Sequence, residues 1–158
     1  EKTDTADVMN RYRLIWDDVV YQPGSITVVA YNADGSRAGE RTVHTAGKPS
    51  RLVLTANRDS LDANGEDLAY ITVSVVDKNG VPVPGDSRRV KFKVDGAGEF
   101  VATANGDPTS LLPFQNPEMD LFSGAATAIV SSGNNPGVVR LRATAPGVSP
   151  AVIEIPVK

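Results

Sequence analysis

The chain has no cysteine and a single histidine, His44, among its 158 residues. Without thiols there is no disulfide framework, no thiolate zinc site and no cysteine nucleophile, so stability must come from the core alone. His44 by itself supplies no Ser-His-Asp arrangement, which needs an activated serine within hydrogen-bond reach. No apolar run is long enough to cross a bilayer. No basic segment followed by an apolar stretch marks a leader, and the chain opens on Glu1 rather than Met, which implies an excised or processed piece. Clustered basic charge is also scarce. With 16 Lys and Arg against 19 Asp and Glu, the formal charge is −3, and phosphate-backbone binding wants the opposite balance. The densest basic run, Arg88, Arg89, Lys91 and Lys93, is broken by Val90 and Phe92, the pattern of a strand with its charges in water. An apolar period of 3.6 is absent throughout, so no amphipathic helix is expected.

What is present is short-period alternation punctuated by turn residues. The first ten residues are polar and aperiodic, as expected of a fraying end. From Arg11, Tyr12, Leu14 and Trp16 alternate with Arg13, Ile15 and Asp17, predicting a strand that ends at Val19, Val20 and Tyr21 before Gln22-Pro23-Gly24. Further strands are expected at Ser25 to Tyr31 and Arg37 to Thr45, joined through Ala33-Asp34-Gly35-Ser36, a hairpin signal. This opening meander is too short to close a sandwich of its own. Ala46-Gly47-Lys48-Pro49-Ser50 reads as a joint, giving an incomplete immunoglobulin-like segment at 1–47 and a complete one at 48–158. The second segment carries about seven strands, the usual number for such a sandwich. They are expected at Arg51–Ala56, Leu68–Asp77, Arg89–Asp95, Glu99–Thr103, Leu121–Ser131, Val138–Ala145 and Ala151–Val157. Lys78-Asn79-Gly80 and Ser132-Gly133-Asn134-Asn135 supply turns with left-handed positions. The fold class is all-β: an antiparallel immunoglobulin-like sandwich preceded by a partial one.

Several residue groups invite a chemical reading. Asp17 and Asp18 are adjacent carboxylates, but consecutive strand residues face opposite ways and cannot flank one glycosidic bond. Asp62, Asn64, Glu66 and Asp67 are oxygen-rich, yet Gly65 falls fourth and Val73 twelfth from Asp62. An EF-hand needs glycine at the sixth position and glutamate at the twelfth, so a polar turn is expected. Trp16, Tyr12, Tyr21, Tyr31 and Tyr70 could form a sugar-stacking platform, although the alternation around Trp16 predicts a core role for it. No metal or cofactor is expected. The odd element is the long loop from Ala104 to Asp120, with its three prolines. Loops of that length without regular structure are usually functional or disordered, and its apolar residues argue against disorder. Asn105, Asp107, Gln115 and Asn116 offer donors and acceptors suited to sugar hydroxyls, while Phe114 or Phe122 would stack on a ligand or anchor the loop. The plainer alternative is a loop that tethers itself across open strand ends.

Arg11 to Thr45, with Arg-Tyr-Arg-Leu-Ile-Trp-Asp-Asp-Val-Val-Tyr-Gln-Pro-Gly and the closing Thr-Ala-Gly-Lys-Pro, resembles the end of an immunoglobulin-like domain. That domain follows the catalytic barrel in bacterial β-galactosidase-like enzymes of glycoside hydrolase family 2. Leu52 to Val157 resembles their further C-terminal sandwich, notably at Asn105-Gly106-Asp107-Pro108-Thr109-Ser110 and Phe122-Ser123-Gly124. The resemblance implies a non-catalytic accessory region that supports the barrel or subunit assembly, in a periplasmic or secreted parent. The barrel that carries the catalytic glutamates lies outside this sequence, so no catalytic residue carries over. The partial first sheet would leave Trp16, Val28, Val29 and Val43 short of packing partners and would lean on the second domain or pair with another chain as a homodimer. Partners are therefore the barrel, neighbouring domains and a carbohydrate; nucleic acid and membrane insertion are not expected. A carbohydrate-binding module and a cell-surface adhesin segment are the alternative functions.

Overall fold

The computed structural model describes residues 15–158. The chain divides between Thr45 and Ala46 into two compact units.

The described part of the first unit is built on one antiparallel hairpin, β1 (Ser25–Tyr31) and β2 (Arg37–His44). Its turn follows from Gly35, at φ +81°, and from Asp34, whose carboxylate accepts the Ser36 amide at 2.9 Å. Ile26 lies opposite Val43, and both are exposed, as is Val28; Val29 is half-buried. The strand expected from Arg11 to Tyr21 is not formed in its described part: residues 15–22 are irregular, with a turn at Asp17-Asp18. Positions 11–14, including Tyr12, lie outside the described residues. Trp16 is 44% exposed, which corrects the core role expected for it. Alternation orients side chains but buries none unless a second layer lies over them, and the hairpin is the only sheet among the unit's described residues.

The second unit is a sandwich of two four-stranded antiparallel sheets. Its strands are β3 (Pro49–Ala56), β4 (Leu68–Asp77), β5 (Arg89–Gly96), β6 (Gly98–Ala104), β7 (Glu118–Asp120), β8 (Ala125–Ser132), β9 (Gly137–Thr144) and β10 (Ala151–Val157). One sheet runs β10-β9-β5-β7 and the other β3-β4-β8-β6. Strict alternation explains the burial. Ala69, Ile71, Val73 and Val75 of β4 point inward, as do Ala126, Ala128 and Val130 of β8, against Val90, Val139 and Leu141 of the facing sheet. The segment entering the unit touches both sheets. β3 pairs with β4, while Leu52 N–H donates to Ser149 O at 2.9 Å and Leu61 N–H to Pro156 O at 2.9 Å, in parallel bridges alongside β10.

The chain departs from its sequence pattern at two connections. The strand expected over Leu121–Ser131 begins only at Ala125: residues 121–124 carry the chain across from β7, which lies with β5, to β8 in the opposite sheet. Ser123 has φ +52° and Gly124 +77°, conformations that end a strand. A methyl group on Gly124 would sit 2.2 Å from Val83 O, so the crossing requires glycine for space as well as for φ. The Ser132–Asn135 connection, expected to use left-handed positions, contains none. It is held by Gly133 N–H donating to Ala97 O at 2.8 Å. By contrast, Lys78-Asn79-Gly80 has its left-handed glycine, at φ +84°.

Candidate functional site

The loop between β6 and β7 is an ordered flap along the β6 edge. Thr103 N–H donates to Phe114 O at 2.7 Å and its hydroxyl to Asn116 O at 3.0 Å; on the other side Phe92 N–H donates to Pro117 O at 2.8 Å. Thr103 is fully buried, so these contacts satisfy a hydroxyl that would otherwise be costly to enclose.

The Asn105 amide donates to Asp120 O at 2.9 Å, and its oxygen accepts the Asp107 amide at 3.0 Å. One Asp107 carboxylate oxygen accepts both the amide and the hydroxyl of Thr109, at 2.8 and 2.7 Å. The Asn116 side-chain oxygen accepts Glu118 N–H at 3.1 Å. These are the short-range bonds by which Asn and Asp fold a chain back on itself. Gln115 and Phe114 point outward, Phe114 being 64% exposed and the neighbouring Leu111 97%. Asn105 also borders a shallow groove of about 270 Å³ with Thr72, Ala104, Gly106 and Thr127, on the outer surface of β4, β8 and β6. Thr72 and Thr127 meet there because they are register partners 55 positions apart, which no local motif announces.

The other candidates do not converge. Asp17 and Asp18 share a turn rather than a strand. His44 closes β2, is exposed, and lies opposite Ser25. Tyr21 and Tyr31 are exposed in the first unit, and Tyr70 is 46% exposed on β4 in the second. Phe122 forms the β7–β8 crossing and is 45% exposed. Around Gly65, the Asn64 side-chain oxygen accepts the amides of Glu66 and Asp67 at 2.9 and 2.8 Å, while Asp67 accepts Asp62 N–H at 2.9 Å and pairs with Arg58. Those oxygens brace the turn instead of opening onto a shared centre. Among the described residues no group of three or more acidic or histidine side chains is gathered closely enough for a metal.

The titratable groups tell the same story. Asp77 is almost fully buried at the end of β4, and its carboxyl is held below the ordinary range by the amides of Gly47 and Val81, aided by Asn79. Asp86 is lowered by its hydrogen bonds with Arg88, whose guanidinium also donates to Pro146 O at 2.5 Å. Arg88 is thus a half-buried clamp, not part of the solvated face expected for the basic run. Arg89, Lys91 and Lys93 are exposed as expected, with Val90 and Phe92 buried between them. Asp67 is lowered first by Asp62 N–H, Asp120 by Arg89.

Residues 52–154 match the family described as Glycoside hydrolase family 2 C-terminal domain 5, and residues 1–39 match a domain of unknown function, DUF4982. The chain is 34% identical over 137 residues to the β-galactosidase BoGH2A of Bacteroides ovatus, covering 87% of this chain and 16% of that protein. It is 30% identical over 141 residues to a β-glucuronidase of Formosa agariphila, covering 87% and 14%. A crystal structure of a glycosyl hydrolase family 2 member from Bacteroides cellulosilyticus superposes with a TM-score of 0.87 at 29% identity, over 95% of this chain and 20% of that one. The chain therefore spans about a sixth of the curated relatives it matches and belongs to glycoside hydrolase family 2, matching a C-terminal region of its enzymes.

Proposed function

We propose that the chain is a non-catalytic accessory region of a bacterial β-galactosidase-like glycosidase, in which residues 1–45 finish one immunoglobulin-like domain and 46–158 form a complete further sandwich. Its role is to support the catalytic barrel or the assembly of subunits, in an enzyme exported to the periplasm or beyond. The observation that carries this reading is the use to which the carboxylates are put. A glycosidase acid needs a carboxyl whose pKa is raised, opposite a second carboxylate across an open cleft. Asp34, Asp67, Asp77, Asp86 and Asp120 are held below the ordinary carboxylate range instead, by a peptide N–H, a hydroxyl or a guanidinium of the fold itself. The loop's polar side chains are spent in the same way, which favours the tether over a sugar-binding loop. The exposed Ile26, Val28 and Val43 of the hairpin offer the apolar surface that a neighbouring domain or second chain would cover.

The test is made twice. Highly purified chain incubated with a nitrophenyl β-galactoside is expected to release no nitrophenol; turnover that co-purifies with the chain overturns the reading. Removing 46–158 from the longer enzyme is expected to lower its thermal midpoint or dissociate its subunits. Unchanged stability, assembly and activity after that deletion would count equally against it.

A further inference from the structure

The outer face of the β10-β9-β5-β7 sheet is a lattice of charges, and its pairing is incomplete. Odd residues of β5 and even residues of β7, β9 and β10 point outward. At one end Arg89 grips Asp120 through two bonds of 2.8 Å, and Lys91 meets Glu118 at 2.7 Å. At the other end Arg140 takes two acids, Glu154 at 2.6 Å and Asp95 at 3.4 Å. The doubling leaves two cations in the middle of the face without a paired acid. There Lys93 and Arg142 are direct register partners across β5 and β9, and among the described residues neither has an acid partner. Like charges set directly opposite on adjacent strands repel and destabilise the pair. Lys93 and Arg142 line a hollow of about 350 Å³ together with Phe92, Pro117, Thr144 and the ion-paired Lys91 and Glu118.

We infer that Lys93 and Arg142 receive the carboxylate of an acidic saccharide, a uronate unit seated in this hollow. A guanidinium fork matches a carboxylate through two parallel bonds, and an ammonium beside it adds a mobile point charge. The Thr144 hydroxyl and the Glu118 carboxylate provide a donor and acceptors for ring hydroxyls. The volume falls at the lower end of the range of small-molecule sites. An acidic protein surface fits less well, because stable protein contacts want an apolar centre, whereas this centre is charged and ringed by ion pairs. The inference rests on reading the chain as part of a carbohydrate-acting enzyme, and it adds a binding site that the catalytic chemistry does not require.

The test is calorimetric titration of the chain with tetra-galacturonate, with a neutral galactotetraose and with short polyglutamate, at low and at high salt. Binding of the uronate in the millimolar range or tighter is expected, weakened at high salt, with no heat from the neutral sugar. Arg142→Gln should weaken it at least tenfold, and Lys93→Gln by a smaller factor. Both variants relieve repulsion, so their denaturation midpoints should hold or rise. Amide chemical shifts of the unmodified chain, recorded during the same titration, should move in β5 and β9 and thus report even if a variant misfolds. No binding of the uronate, unchanged affinity in Arg142→Gln, or shifts confined elsewhere would each overturn the inference. Polyglutamate binding as tightly as the uronate would replace the saccharide by an acidic peptide. None of these outcomes touches the accessory reading, which stands or falls on the turnover and deletion experiments.

Discussion

The hairpin β1–β2 and the strand β4 are written in the same alphabet of Val, Ile, Thr and Tyr, yet they end in opposite environments. In Ser25–Tyr31 only Val29 is as much as half-buried; in Leu68–Asp77 every second residue is sealed off. The difference is not propensity but the presence of a second layer. β4 has β3 and β8 beside it and a facing sheet beneath, whereas β2 is the only strand partner of β1 among the described residues. Alternation states which side chains will share a face, and only topology decides whether that face is covered.

The largest break in that comparison should come from the sandwich core. Leu141→Ala, at a fully buried position on β9, is expected to cost about 2–5 kcal/mol by transfer and cavity terms together. Urea denaturation followed by tryptophan-independent circular dichroism measures it, and a loss under about 1 kcal/mol would mean the core repacks freely.

A glycine pair sharpens the contrast next. Gly124→Ala must hold alanine at φ +77° and push a methyl against Val83 O. Strain at such a φ is worth roughly 1–3 kcal/mol before any overlap is added. Gly35→Ala in the hairpin turn has a similar φ, +81°, but open space around it. It should cost the conformational part alone, about 1 kcal/mol. Equal losses at the two sites would show that the close approach at Gly124 is easily relaxed.

Acid should act on both units, through Asp34 in the hairpin turn and more heavily through four carboxylates of the sandwich. Asp67, Asp77, Asp86 and Asp120 all belong to the sandwich and have lowered folded pKa values. Each therefore contributes stability that is present above the unfolded aspartate value of about 3.9 and is lost as pH falls through the lower folded value. The thermal midpoint of the sandwich should be flat near neutrality and decline below about pH 4. Asp86→Ala should shrink part of that decline and cost about 1–3 kcal/mol at pH 7, because Arg88 loses its carboxylate acceptor. A midpoint insensitive to acid in the parent chain would show that these contacts add little.

The smallest effect is expected in the hairpin. Val28→Ala, at 48% exposure, should change the stability of the isolated chain by no more than about 0.5 kcal/mol. The same substitution in the longer enzyme should cost more if that surface is covered there, and an equal cost in both settings would argue that it stays open.

Much of this fold can be read from the residues. β1, β4 and β10 begin and end where alternation and turn residues place them, the Asp34-Gly35 signal marks a hairpin, and Gly80 takes the left-handed position expected of it. The errors share one cause. Leu121-Phe122-Ser123-Gly124 reads as the opening of the β-rich run that follows, so the crossing between sheets is invisible without knowing that Val83 O lies against Gly124. Trp16 alternates with its neighbours in the sequence, yet residues 15–22 form no strand and Trp16 stays 44% exposed. The loop's asparagines were legible as polar and useful, while their acceptors at Asp107, Asp120 and Glu118 depend on a path that only the folded chain defines. Lys93 is conspicuous in the basic run; Arg142 becomes its partner only through strand register.

The parallel bonding of the entering segment with β10 has a mechanical consequence. Residues 50–63 and 149–158 run in the same direction and are joined by Ser149 N–H to Ser50 O, Leu52 N–H to Ser149 O, Lys158 N–H to Leu61 O and Ala63 N–H to Lys158 O. Tension applied between the start of the sandwich and Lys158 would load these bonds together, in shear, rather than peel them one at a time. A module clasped in this way passes a pull along the polypeptide as a stiff link, and its endurance is set by how fast the whole clasp lets go.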